Sequence, residues 1–296
     1  MKYLKFLGVL LAACVLVALI ILGLAHGKYT SLAKEQQPEP KDLVLRVELQ
    51  DNWLADGERI ARMRGCSDCH GADYGGKAFI DDPGMGYFVG RNLTRGLGGI
   101  GADYRVEDFV RAIRYGQNKN GNYLRFMPSL EYAQMSDEDL GKLIVYLKSL
   151  PPIDRNFKDL SPGPVAKVMF LFDRMPLLLS GMHIQSGAPV SVAPSEHADY
   201  GRYLAASCVG CHRPDYSGGP IAGVPPSWPP APDLTPRGDF AKWTFEEFKK
   251  ALTTGERPDG RIMNSQFMPW TATAAFNELE LRALHNYLKS LPSPEI

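Results

Sequence analysis

Cys66-Ser67-Asp68-Cys69-His70 brings two thiols and an imidazole within one helical turn, and Cys208-Val209-Gly210-Cys211-His212 repeats the arrangement. Two thiols three positions apart on a turn can each form a thioether with one vinyl group of a porphyrin. The next residue then lies under the ring, where its imidazole can bind iron; this is the spacing of c-type haem attachment. Two other chemistries share the cysteine spacing, a four-sulfur zinc site and a thioredoxin-like dithiol. Zinc would leave both histidines without a role, and the dithiol needs a strand-rich fold, for which neither half shows an alternating run. Cys66, Cys69, His70, Cys208, Cys211 and His212 are therefore the expected sites of two covalently bound haem c groups. Of the five cysteines only Cys14 remains, so the chain has no disulfide framework.

A haem that carries electrons commonly has a second protein ligand. A methionine thioether suits iron(II) and raises the potential relative to two nitrogen ligands. Met85, Met127 and Met135 follow the first motif, and Met263 and Met268 follow the second. Met127 and Met268 correspond: their spacings from His70 and His212 differ by a single position, and each lies within Phe-Met-Pro. A lone Met is ordinarily core filler, and the pairing reverses that expectation: Met127 and Met268 are the expected sixth ligands. Met135 matches Phe276, a core position. His285 falls where the first half has Ile144, on an apolar helix face, and reads as a core histidine.

The elements that must position these groups come from an internal repeat. Asn92-Leu93-Thr94 matches Asp233-Leu234-Thr235, Phe126-Met127-Pro128 recurs at 267–269, and YLKSLP at 146–151 recurs at 287–292, all in one register. Two copies of one domain follow, 51–153 and 197–293. Val106, Phe109, Val110 and Ile113 mark one face of a helix, and Phe245, Phe248 and Leu252 its partner behind a Thr244–Glu247 capping box. A last helix begins after Ser136 and presents Leu140, Leu143, Ile144 and Leu147; its partner presents Leu281, Leu284 and Leu288. Pro151 and Pro292 stop both. The expected fold class is all-α.

Phe6 to Leu24 carries no charge and no strongly polar side chain. The run is close to the roughly 20 apolar residues of a spanning helix and longer than the roughly 7–15 of a signal-peptide core. Residues 4–25 read as a transmembrane anchor and 26–50 as a tether. Cleavage after Ala25 and lipidation at Cys14 are the competing readings. Residues 154–196 form a connector rich in Pro and apolar residues, read as packed on a domain or lying on a membrane surface. Lysine balance does not orient the helix, but thioether attachment takes place outside the bacterial cytoplasmic membrane. Both domains are then periplasmic, with Lys2 and Lys5 inside. Lys and Arg number 33 and Asp and Glu 33, a zero net charge that argues against nucleic-acid binding and against steering by total charge.

Each copy resembles a class I cytochrome c domain. The motifs NLTRGLGGIGADYRVEDFVRAIRYG, NGNYLRFMPS and MSDEDLGKLIVYLKSLPP of the first copy, and DLTPRGDFAKWTFEEFKKALTTG and PDGRIMNSQFMPW of the second, resemble the cytochrome c subunits of bacterial membrane-bound alcohol and aldehyde dehydrogenases. The resemblance implies helical domains, each wrapping one haem held by His and Met. It also implies a proline carbonyl that orients the haem histidine; Pro232 supplies it in the second copy, whereas Arg91 stands there in the first. Those subunits often carry three haems, and this chain has two motifs. The expected function is relay of electrons between a membrane or periplasmic donor and an acceptor of a respiratory or dehydrogenase chain, through redox-protein partners. A dihaem peroxidase with one open iron, and a haem-based gas sensor, are the alternatives.

Overall fold

The computed structural model describes residues 2–184 and 189–292; residues 185–188 of the connector lie outside it. Helix α1, Lys2–Lys34, is 33 residues long, or about 50 Å at 1.5 Å per residue. It is the one helix among the described residues long and apolar enough to cross a membrane. Its side chains are almost all exposed through Leu24, whereas Ala25 and Tyr29 are buried. The helix thus continues past Ala25, where the sequence pointed to a tether. The chain after it lies against the first copy: Gln37 N donates to Gly121 O at 2.8 Å, Arg111 pairs with Glu39, and Leu43 joins the first core.

The first copy contains α2 (Leu54–Met63), α3 (Cys66–His70), α4 (Val106–Tyr115), α5 (Ser129–Tyr132) and α6 (Asp137–Ser149). The apolar positions of α4 and α6 close one core with Ile60 and Ala61 of α2. Ser136 Oγ caps α6 by accepting from Asp139 N at 3.1 Å. Helices α2 and α6 cross closely because Gly57 has no side chain; a Cβ there would overlap Lys142 O.

The fold is mostly helical, and the all-α expectation needs one correction. Strands β1 (Lys77–Asp82) and β2 (Gly86–Gly90) form an antiparallel hairpin, and β3 (Ser161–Pro162) extends it. The strands are short, and a register shift between Ala78 and Ile80 interrupts the alternation that marks strands in a sequence. Phe79 and Phe88 pack with Phe126, so the hairpin supports the segment that carries Met127.

Connector helix α7, Pro164–Leu171, packs against α1 through Phe170 and Tyr29, whose rings meet edge to face at 6.1 Å. The connector then runs along the first copy, where Leu179 N donates to Arg125 O at 3.1 Å and Ser180 Oγ donates to Met127 O.

The second copy holds α8 (Ala198–Ala205), α9 (Val209–His212), α10 (Phe245–Thr254), α11 (Trp270–Thr273) and α12 (Glu278–Lys289). Gly201 repeats the close crossing, with Ala283 O where its Cβ would be. Thr244 and Glu247 form the capping box of α10, Thr244 N donating to the carboxylate at 2.7 Å.

Candidate functional site

Short helices α3 and α9 set the cysteines and the histidine one turn apart, and the chain after each is folded alike. Tyr74 and Tyr216 both take left-handed backbone, φ 57° and 59°. Each donates its N–H back along the chain, to Gly71 O and Arg213 O, and each accepts from the N–H of Leu93 or Leu234. Their rings meet Tyr146 and Tyr287 edge to face at 5.6 and 5.7 Å. A non-glycine residue in this region costs backbone energy, and its recurrence in both copies shows a shared requirement. The return brings the repeated Asx turns beneath the histidines: Thr94 N donates to Asn92 Oδ1 at 2.9 Å and Thr235 N to Asp233 Oδ1 at 2.8 Å.

These turns hold the carbonyl that precedes them against the imidazole. His70 Nδ1 lies 2.8 Å from Arg91 O, and His212 Nδ1 lies 3.0 Å from Pro232 O. Each ring therefore donates from Nδ1 and keeps the Nε2 lone pair for a metal. Burial holds both imidazoles below their ordinary pKa, with the carbonyl contacts opposing it, so both are neutral near pH 7. The contact the resemblance tied to a proline is present at Arg91 too, because the acceptor belongs to the main chain. Gly90 permits the approach: a Cβ there would overlap Cys69 O.

In the first copy Cys66, Cys69, His70 and Met127 line one cavity of about 700 Å³, walled by Phe109, Ile113, Leu143 and Leu147 among others. The volume lies in the range of roughly 300–1,000 Å³ usual for cofactor clefts. Met135 also borders it but is a buried core residue, while Met85 packs in the aromatic cluster around Phe88. In the second copy Cys208 and Met268 border the same core as Leu234 and Phe248. His285 is ringed by Phe240, Phe245 and Phe248, and its Nε2 has no hydrogen-bond partner. That is the position of a core histidine.

Burial pushes the thiols of Cys66 and Cys208 up to about 12 and that of Cys69 to about 11, and raises Cys211 as well. Among the described residues no three His, Cys, Asp or Glu side chains converge as metal ligands, so the two Cys pairs do not assemble a zinc site. Two thiols, an imidazole with a free Nε2 and a thioether around one apolar cavity are instead the donor set that covalently attached haem requires.

The two motifs meet across the boundary between the copies. Arg64, 7 % exposed, donates to Ser207 Oγ at 3.3 Å, lies over the Tyr203 ring at 5.4 Å and offers its carbonyl to Tyr132 OH. It stands just before Cys66 in the chain, and Ser207 immediately precedes Cys208. Glu131 of α5 reaches the other motif; a Cβ at Gly210 would stand 2.5 Å from its Oε1. Burial pushes the Glu131 carboxyl up to about 7, with Arg64 pulling against it. Sequence reasoning missed Arg64, Glu131, Gly57 and Gly201, since none lies in a motif; Gly57 and Gly201 stand 9 and 7 residues before Cys66 and Cys208, out of the common register of the repeat.

Comparison with known proteins identifies the family. The cytochrome c family model matches residues 54–151 and 198–292. A "Diheme cytochrome c-type" protein of Cereibacter sphaeroides is 28 % identical over 81 % of this chain and 86 % of the relative. The cytochrome c subunit of a quinone-linked alcohol dehydrogenase of Gluconobacter oxydans is 28 % identical over 80 % of this chain and 54 % of the subunit. The cytochrome subunit of a fructose dehydrogenase of Gluconobacter japonicus is 26 % identical over 81 % of this chain and 53 % of the subunit. The chain thus spans most of the dihaem relative and about half the length of the dehydrogenase subunits.

Proposed function

From the premise that the chain belongs to the cytochrome c family, two of whose domains it carries, we propose that it is a dihaem electron relay tethered to the outer face of a bacterial cytoplasmic membrane. Each covalently bound haem c supplies one-electron exchange between iron(III) and iron(II). The chain does the rest. Cys66 with Cys69, and Cys208 with Cys211, would hold the two groups covalently; His70 and His212 would supply an imidazole nitrogen, and Met127 and Met268 a thioether sulfur, to the irons. The observation that carries this reading is the paired imidazole–carbonyl contact behind both motifs. Phe109, Ile113, Leu143 and Leu147 give the first cavity an apolar wall, which would lower the dielectric around part of a bound haem.

Residues 4–25, within α1, give the anchor, supported by the length, hydropathy and exposure of that helix. The donor we propose is the catalytic subunit of a periplasmic or membrane dehydrogenase, supported by the names of the relatives, and the acceptor is a further redox protein of the same membrane. We place the domain limits at 51–153 and 197–293, a reading supported by family matches over 54–151 and 198–292.

Haem content and a carbon monoxide difference spectrum of the reduced protein test the reading, followed by the same measurements on Met127→Ala and Met268→Ala. Two haems per chain and no prompt binding are expected of the unaltered protein. Each variant should lower the potential of one haem and open that haem alone to carbon monoxide. Prompt binding by the unaltered protein would move the assignment to an enzyme of the peroxidase type, and unchanged potentials in both variants would remove the two methionines from the ligand set.

A further inference from the structure

A surface helix ordinarily turns polar side chains outward, and α7 does not. Its inner side is made by Ala166 and Phe170, both buried against α1 and the aromatic cluster, with Met169 beside them. At about 100° per residue the opposite arc holds Pro164, Val165, Val168, Leu171 and, at the C-cap, Phe172. All five are apolar. Val165 is 48 % and Phe172 57 % exposed. Charged side chains lie to the flank: Lys167 Nζ stands over the Tyr29 ring and 3.5 Å from His26 Nδ1, and Lys28 donates to Leu171 O and faces Asp173.

The level of this helix is given by its contacts with α1. Pro164 and Lys167 share a groove with Leu22, Gly23 and His26, and the far end of α7 meets Lys28. Leu22 and Leu24 are the last exposed apolar residues of α1. Phe6–Leu24 spans about 29 Å, the thickness of a hydrocarbon core. The groove therefore sits where that core would end, and Lys28 lies about one turn, or roughly 5 Å, beyond it. Pro164, at the start of the arc, adjoins Leu22 of α1, and Lys28 and Lys167 stand at headgroup height.

We propose that α7 is an interfacial helix: its face Pro164–Val165–Val168–Leu171–Phe172 lies in the outer-leaflet boundary of the membrane, with His26, Lys28 and Lys167 among the lipid headgroups. This rests on the reading of α1 as a spanning anchor. Interfacial helices bury an apolar face about 5–10 Å deep and hold basic residues at its edge. The arrangement gives the chain two attachments to the bilayer from segments far apart in sequence, and fixes the tilt of the first domain above the surface, which a single flexible tether would leave free.

The test uses the full-length, haem-loaded protein in vesicles of phosphatidylethanolamine and phosphatidylglycerol doped with a photoactivatable phospholipid, with adducts mapped by mass spectrometry. Adducts on residues 164–172 as well as on α1 are expected, with none around Leu97 or Ile262, which are still more exposed but belong to neither α1 nor α7. The double variant Val165→Asp with Phe172→Asp should lose most of the α7 adducts, several-fold in yield, and keep those on α1. Adducts on α1 alone would overturn the proposal while leaving the anchor in place. Absence of adducts from α1 itself would overturn the anchor, and the proposal with it.

Discussion

At the scale of single residues the main chain does the tuning. Because His70 is oriented by a carbonyl, the side chain that bears the carbonyl is dispensable. Arg91→Ala should leave the spectrum and potential of the first haem unchanged, whereas His70→Ala should abolish or grossly perturb it; optical redox titration distinguishes the two. A shifted potential in Arg91→Ala would mean that the guanidinium, not the carbonyl, sets the environment. Glu131 makes a pH-dependent contribution. Its carboxyl titrates at about 7 when folded and near 4.5 when unfolded, so between these values only the native state holds the proton. Stability then falls as pH rises through this window and levels off above it, by about 2 kcal/mol once solvent screening is allowed for. Glu131→Gln should flatten that part of the profile in chemical denaturation followed by circular dichroism. An unaltered profile would place the titration elsewhere.

At the scale of elements each copy rests on one helix crossing, α2 over α6 and α8 over α12. Both crossings need a residue without a side chain where a Cβ would otherwise overlap a carbonyl oxygen. Gly57→Ala and Gly201→Ala should each destabilise by about 1–3 kcal/mol, the usual cost of overpacking. Thermal unfolding should show a lower midpoint, with the haem spectrum of the folded protein retained. A midpoint equal to that of the unaltered protein would show that the helices part at no cost. The hairpin β1–β2 belongs to this scale as well. Among the described residues it has no counterpart in the second copy, where Gly219 and Ala231 form an isolated bridge around a proline-rich loop. Its function is local, since Phe79 and Phe88 brace Phe126 beside Met127.

At the scale of the molecule the two copies are joined by buried polar contacts. Arg59 of α2 pairs with Glu280 of α12 at 2.6 Å, and Glu280 is 3 % exposed. Tyr203 OH donates to Asp139 at 2.6 Å and accepts from Ser136 N. Met63, from the first copy, is buried in the core of the second. Arg59→Ala would leave the Glu280 carboxylate buried, with Tyr200 OH and Asn277 N as its remaining donors. A loss of about 3 kcal/mol follows, at the low end for a broken buried pair. Calorimetry should then resolve two transitions where the unaltered protein gives one, and Arg59→Lys should restore part of the coupling. A single transition in Arg59→Ala would mean that apolar contacts alone join the copies. A rigid junction matters for a relay because it keeps the two attachment motifs, linked through Arg64 and Ser207, at a constant separation.

The haem attachment expected of this protein was legible from its sequence because the thioether and imidazole positions are a short-range requirement. Cys66, Cys69 and His70 must lie on one turn, and so must Cys208, Cys211 and His212; the proposal of Met127 and Met268 rests instead on their correspondence in the repeat. Helix faces and caps such as Ser136 and Thr244 were legible for the same reason, being encoded within about one helical turn of where they act. Tertiary structure decided what depends on residues distant in sequence. A carbonyl at Arg91 can serve His70 because a main-chain acceptor leaves no trace in side-chain identity. The hairpin at 77–90 escaped notice because its alternation is broken by a register shift. Arg64, Glu131 and the outward face of α7 gain meaning only from what lies across from them, and that is settled by packing, which joins segments from opposite ends of the chain.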